Sequence, residues 1–273
     1  MSLAGKVVVV TGSTRGIGRS IAEACGRAGA TVVVSSRTPE AVSATLADLR
    51  AAGVTASGLA ANAGHYEELE AVRDHALAEH GRIDVWVSNA GVSNGYRFLD
   101  DESTEEIHDL ITINVLGVLY GAKLLLPHFR EHGGYLMNLC GRGWKGDATP
   151  YTTAYGASKA AVASLTRSLA AENAEHPNVS INAFVPGMVD TAFYRDDMPV
   201  SPRLEATRHN VRFALEAFGT PVAEVGERCA QLLTAEPGAT TGNVYPMLKL
   251  PQLISGGFKM AYWGMTGKMR PKA

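Results

Sequence analysis

The sequence predicts an α/β fold in one domain, doubly wound around a mostly parallel sheet. Three observations predict it. Short β-branched runs alternate with longer Ala-rich stretches of helical period. Most of the runs are continuously apolar, as strands covered on both faces should be. The connections are short, and no linker divides the 273 residues.

The first strand is expected over Lys6 to Thr11, followed by a helix over Gly16 to Ala28. Strand and helix then alternate through Thr31 to Ser35, Pro39 to Ala52, Val54 to Ala60, Glu67 to His80 and Ile83 to Ser88. A long apolar helix follows over Thr104 to Arg130, then a strand at Tyr135 to Leu139, a helix at Thr152 to His176 and a strand at Val179 to Val185. Gly242 to Leu248 adds a final strand. From Thr191 to about Thr220 the pattern loosens into a polar and aromatic insertion, a candidate substrate lid. The domain is expected to end near residue 250. The segment 251–273 is a basic and apolar tail, suited to capping a flat substrate, touching an anionic membrane or packing on a neighbouring subunit.

Composition narrows the function classes. A 46% hydrophobic content supports a sizeable core, and a net charge of −2 gives no reason to expect nucleic-acid binding. Cys25, Cys140 and Cys229 share no metal-ligand spacing, so no metal is expected and reduced thiols in a cytoplasmic protein are. GKVVVVTG starts folded structure within a few residues of Met1, which argues against a signal peptide. No apolar run reaches the roughly 18 residues that suggest a transmembrane segment.

The first strand runs into TGSTRGIG, made of Thr11, Gly12, Ser13, Thr14, Arg15, Gly16, Ile17 and Gly18. Glycines at these positions let a backbone turn tightly and approach a pyrophosphate over the next helix N-terminus. At the end of the second strand Ser36 and Arg37 stand where an Asp or Glu would bind the ribose of NAD. A hydroxyl and a guanidinium suit a 2′-phosphate instead, with Arg15 as a second positive charge. NADP(H) is therefore the expected cofactor. Asn62 follows the third strand, within reach of an adenine amino group. Asn89, Ala90 and Gly91 of SNAG follow the fourth, and Pro186, Gly187, Val189 and Thr191 of PGMVDT follow the sixth. All of these fall at strand C-termini, where open α/β sheets bind ligands.

Tyr155 and Lys159 are four residues apart in an expected helix and so share a face. The ammonium would lower the phenol pKa from about 10 and make it a usable acid or base toward a carbonyl or an alcohol. It would also bind the nicotinamide ribose. A second YxxxK, from Tyr245 to Lys249, contains Pro246 in strand-like surroundings and is read as accidental. Asn114 lies in an apolar helix near this site, and a buried Asn must find partners.

TGSTRGIG, SNAG, the Asn of NVLG, YGASK and PGMVDT occur in the order and spacing of the short-chain dehydrogenase/reductase family, which the chain resembles over about residues 3 to 248. The resemblance implies a Rossmann fold and hydride transfer between NADP(H) and a small-molecule carbonyl or alcohol substrate. It implies Tyr155 as proton donor, Lys159 as its pKa-lowering neighbour, and Asn114 as the holder of a relay water. A homodimer or homotetramer built on the helices holding Asn114 and Tyr155 is also implied. One family residue is missing: the Ser three positions after the Asn of the fifth strand falls on Gly141. Cys140, Thr152, Thr153, backbone N–H groups of residues 141–143 and an ordered water are the candidate substitutes. NAGVSNGYR, NLCGRG, ATPYTTAYGASK and the lack of a terminal VDGG resemble the chlorophyll b reductase branch, which also carries Gly there. That branch implies reduction of a formyl group on a bulky aromatic or polycyclic substrate. Tyr96, Trp144, Met188, Phe193 and Tyr194 would shape the pocket. The alternative is a catalytically weak NADP-binding scaffold or sensor of the same fold, with Gly141 in its favour.

Overall fold

A computed structural model describes residues 2–191, 198–247 and 250–266. Phe193, Tyr194 and Lys249 lie outside the described residues. The strands are β1 (Val7–Thr11), β2 (Thr31–Ser36), β3 (Ala56–Ala60), β4 (Val85–Ser88), β5 (Gly134–Leu139), β6 (Val179–Val185), β7 (Met188–Val189), β8 (Gly219–Thr220) and β9 (Val244–Pro246). Seven form one parallel sheet in the order β3-β2-β1-β4-β5-β6-β9, while β7 and β8 pair separately. The helices are α1 (Gly16–Arg27), α2 (Pro39–Ala51), α3 (Tyr66–His80), α4 (Thr104–Ile111), α5 (Gly117–His132), α6 (Thr153–Glu172), α7 (Glu205–Phe218), α8 (Val222–Leu233) and α9 (Leu250–Met265).

The unbroken VVVV of β1 is explained by two separate cores. Val8 and Val10 face Ile21, Cys25, Val225 and Cys229 on one side of the sheet. Val7 and Val9 face Leu69, Val72, Leu125 and Phe129 on the other. Alternate side chains of one strand thus enter opposite layers, and each must be apolar.

The order reverses between β1 and β4, opening a crevice at the C-terminal ends of these strands. The long helix from Thr104 is not uniform. Its Thr112–Leu116 segment is a π turn between α4 and α5, and Asn114 sits in that turn. Such turns recur at functional sites. Thr104–His132 is long and apolar enough by composition to cross a membrane, which the residue-by-residue expectation overlooked. Half of its apolar window is buried in the protein, as for a core helix.

Beyond β6 the structure departs from the sequence expectation. The loosened stretch contains the 14-residue helix α7. An unexpected helix, α8, packs on α1, where Gly226 lies so close that a Cβ would fall 2.4 Å from the Ser20 carbonyl oxygen. Ser20 seals this crossing by donating to the Val222 carbonyl at 2.7 Å. Residues 251–265 of the expected tail belong to helix α9, which docks on α7 with the Trp263 ring 5.6 Å from that of Phe213.

Candidate active site

The first βα turn is knitted to its neighbours by its own polar side chains. Ser13 is fully buried; its hydroxyl donates to the Val10 carbonyl at 2.7 Å and accepts from the Ser35 N–H at 3.0 Å. That hydroxyl therefore shapes the turn, leaving the backbone to face the crevice. Thr14 donates to the Ser36 hydroxyl at 3.0 Å. This bond ties the turn to the end of β2, so Arg15 and Arg37 sit on linked, adjoining loops. Both are exposed, and neither has an acidic partner among the described residues.

Close approaches at glycine show how the motifs converge. A Cβ on Gly12 would lie 2.9 Å from Ala90 Cα, and one on Gly18 only 2.3 Å from both Asn89 Nδ2 and the Gly12 oxygen. Asn89 in turn donates to the Thr11 and Gly12 carbonyls at 2.9 and 3.1 Å. Gly16 faces Thr191, whose Cγ2 would be 3.6 Å from a Cβ there. SNAG and PGMVDT are thus both folded onto the glycine turn. Gly187 supplies the positive φ of +77° that turns the chain after Pro186, and Val189 is buried in β7. Asn62 accepts from the Gly64 N–H at 3.0 Å and shapes its own loop, while its N–H donates to Glu68 at 2.7 Å. The backbone-lined cradle at the head of α1, with Ile17 in its first turn, fits a dinucleotide: side chains are absent where a pyrophosphate must come close.

The candidate catalytic face is built on α6. Asn138 of β5 donates to Thr166 at 3.0 Å and so fixes α6 against the sheet. Lys159 is buried, its Nζ donating to the Leu139 carbonyl at 3.0 Å and lying 5.6 Å from the Tyr155 ring centre. Burial lowers its pKa below the usual lysine value. Asn114 is wholly buried and its side chain is fully engaged. It accepts from the Val92 N–H at 2.8 Å and donates to the Val92 carbonyl at 2.9 Å and the Ser158 hydroxyl at 3.1 Å. Asn114 therefore clamps the SNAG loop to α6, one residue before Lys159. Gly91 lies at this junction, with Lys159 Nζ 3.6 Å from where its Cβ would be.

Gly141 is the most informative position. A Cβ there would lie 2.4 Å from the Tyr155 hydroxyl oxygen and 3.3 Å from Lys159 Cγ. The phenol group has settled into the volume a Ser side chain would take. The substitutes considered for that Ser can now be sorted. Cys140 is buried with its sulfur against the Lys159 carbonyl at 3.9 Å, and burial pushes its thiol pKa up to about 11. Thr152 is buried and its hydroxyl donates to the Thr149 carbonyl at 3.3 Å. Thr153 is exposed in the first turn of α6. A water directly over Gly141 would collide with the Tyr155 hydroxyl.

Two flanking residues escaped the sequence reading. Tyr151 has a φ of +66°, the one positive value outside glycine among the described residues. Its carbonyl accepts from the Arg97 N–H at 2.9 Å, and its ring packs edge-on against Phe98 at 5.1 Å. Arg142 donates to the Tyr96 hydroxyl at 3.0 Å. Segment 96–98 therefore spans the β5–α6 loop ahead of Tyr155, touching it at Arg142 and at Tyr151. The described part of the candidate lid region joins this segment through the Tyr96–Val200 bridge. The signal for Tyr151 was present as a second Tyr one turn before Tyr155; its backbone strain was not readable from sequence. Of the other expected pocket residues, Met188 is half-buried in β7. Trp144 packs partly on Val118, Cys140 and Val162, with Lys145 and Arg167 over its ring.

With this geometry in place, the comparisons with known proteins are specific. The family model described as short chain dehydrogenase matches residues 6–199. The chain belongs to the short-chain dehydrogenase/reductase family. This short-chain dehydrogenase/reductase is 33% identical over 238 residues to the chloroplastic chlorophyll(ide) b reductase NOL of Oryza sativa subsp. japonica, covering 84% of this chain and 67% of that protein. It is 36% identical over 233 residues to dehydrogenase/reductase SDR family member 4 of Homo sapiens, covering 85% and 81%. Among solved structures, a putative short-chain alcohol dehydrogenase from Sinorhizobium meliloti 1021 superposes with a TM-score of 0.78 at 30% identity, covering 93% and 98%. Short-chain dehydrogenases/reductases use nicotinamide cofactors on small-molecule substrates, and the cradle described above fits such a cofactor.

The buried Lys159 gives a stability prediction for this short-chain dehydrogenase/reductase. Because its folded-state pKa is lowered, the native state binds that proton less readily than the unfolded chain. The penalty is full below the folded pKa and fades as pH rises toward the ordinary value of 10.5. Without cofactor, the unfolding midpoint of the wild type should therefore gain on that of Lys159→Met as pH rises. A parallel pH dependence of the two proteins, read by thermal melts, would refute the lowered pKa.

Proposed function

We propose that this protein is an NADPH-dependent reductase of an aldehyde or ketone, working on a bulky aromatic or polycyclic substrate like that of a chlorophyll b reductase. The observation that carries the reading is the Tyr155 hydroxyl lying over Gly141 beside the buried Lys159. Tyr155 holds the proton at its phenolic oxygen and delivers it to the carbonyl oxygen; in the reverse direction it removes the proton from the alcohol. Lys159, fixed by the Leu139 carbonyl, holds positive charge beside the phenol. Asn114 acts as a positioning residue by holding the SNAG loop to Ser158. When bound, the nicotinamide supplies or accepts the hydride. Gly12 to Gly18, Ala90, Gly91 and Thr191 would hold the cofactor. The absence of a serine donor at Gly141 favours a carbonyl on a conjugated ring, which needs less help from such a donor, and the aromatic flank of Tyr96, Phe98 and Tyr151 favours a flat one.

Arg37 and Ser36, with Arg15 adjoining, support NADP(H) over NAD(H). Arg37→Ala removes one charge-assisted contact to a 2′-phosphate, which should raise the KM for NADPH by roughly 10- to 100-fold. NADH should be nearly unaffected. Equal losses for both cofactors in steady-state assays would refute phosphate recognition. The function itself is tested by NADPH turnover across a panel of aldehydes and ketones of increasing ring size; no turnover with any of them would overturn it. The half of the Thr104–His132 apolar window left unburied in the single chain supports assembly into a homodimer or homotetramer.

A further inference from the structure

Among its described side chains, helix α9 has two apolar faces, one packed on α7 and one exposed. Its inner face carries Gly256, where a Cβ would lie 2.2 Å from the Phe218 ring, and Trp263, which is 9% exposed against Phe213. Its outer face carries Phe258, Tyr262 and Met265, exposed by 73%, 61% and 81%. These residues are spaced i, i+4, i+7 and so form one stripe along the helix. They are the three most exposed large hydrophobic residues among the described residues. Lys259 is exposed beside the stripe. From residue 237 onward the sequence contains Lys249, Lys259, Lys268, Arg270 and Lys272 and no acidic residue.

We infer that the outer face of α9 docks on an anionic lipid surface. An apolar stripe flanked by cations is the pattern of a helix that lies in a membrane interface, its rings among the acyl chains and its ammonium groups at the phosphates. Cationic side chains near a negatively charged leaflet add electrostatic attraction that falls away within a Debye length. The same charges argue against a second copy as the occupant. A two-fold contact places identical patches face to face, which would bring two wholly basic segments together.

The test is co-sedimentation of the full chain with vesicles. Phosphatidylglycerol mixed into phosphatidylcholine is compared with phosphatidylcholine alone, at low and at high salt. The expected result is binding to the anionic vesicles, weakened by salt. It should fall at least about tenfold in Phe258→Glu/Tyr262→Glu, and clearly in the single variant Lys259→Glu. All three side chains are exposed, so the unfolding midpoints should match wild type. If the double variant proves unfolded, Lys259→Glu and the salt dependence decide. Wild-type protein left in the supernatant with anionic vesicles would overturn the inference, as would undiminished sedimentation of the folded variants. A halved mass of the double variant in vesicle-free solution would overturn it in favour of a second copy.

Discussion

Tyr155→Phe should abolish NADPH oxidation with an aldehyde panel, a loss of about 10²–10⁴-fold for a removed general acid. Cofactor affinity should be nearly unchanged. The reason lies in what the substitution spares. The ring stays in place, Lys159 keeps its bond to the Leu139 carbonyl, and the glycine cradle is assembled by Asn89, Ser13 and Thr14. Only the oxygen over Gly141 is lost. Single-turnover rates and NADPH binding by fluorescence separate the two effects. Residual turnover equal to wild type would show that Tyr155 does not deliver the proton, and would favour the scaffold reading.

Gly141→Ala should cost about 10²-fold in kcat. Gly141 does not have a positive φ, so its backbone tolerates a side chain. The new Cβ would lie 2.4 Å from the Tyr155 oxygen and must displace it by about an ångström to reach ordinary contact. A reacting group moved that far loses its alignment. Gly141→Ser makes the same intrusion but adds a hydroxyl donor, and a donor to a developing oxyanion is worth roughly 10²–10³ in rate. Serine should therefore be the less damaging of the two, with its relative gain greatest on small, unconjugated aldehydes. Equal kcat for Gly141→Ala and wild type would show that the phenol does not depend on that space.

The site was legible in the sequence to the extent that its chemistry rests on local spacing. Tyr155 and Lys159 share a face because a helix repeats every 3.6 residues, and strands such as β1, β2 and β4 were readable because a two-sided sheet needs apolar runs. Tyr245 lies in β9, in keeping with the strand-like surroundings read around the second YxxxK. Helix α8 received no assignment from the sequence, although Val225, Cys229 and Leu233 carry its period. The partners of the Asn114 side chain, Val92 and Ser158, stand 22 and 44 positions away. No spacing rule reaches that far.

The sequence alone therefore determined the alternation of elements, the glycine turn, the basic replacement at the end of β2 and the Tyr–Lys pair. Each of these follows from backbone sterics or periodicity within a few residues. Tertiary structure decided where side chains from distant segments end up. It set the Cys140 sulfur against the Lys159 carbonyl and the Thr152 hydroxyl on the Thr149 carbonyl, drew Tyr96, Arg142 and Tyr151 into one flank, and laid α9 across α7 with Phe258 and Tyr262 outward. Above all it placed the Tyr155 hydroxyl in the space over Gly141. Excluded volume between segments 14 residues apart is a property of the packed chain, and the missing serine acquires its meaning only there.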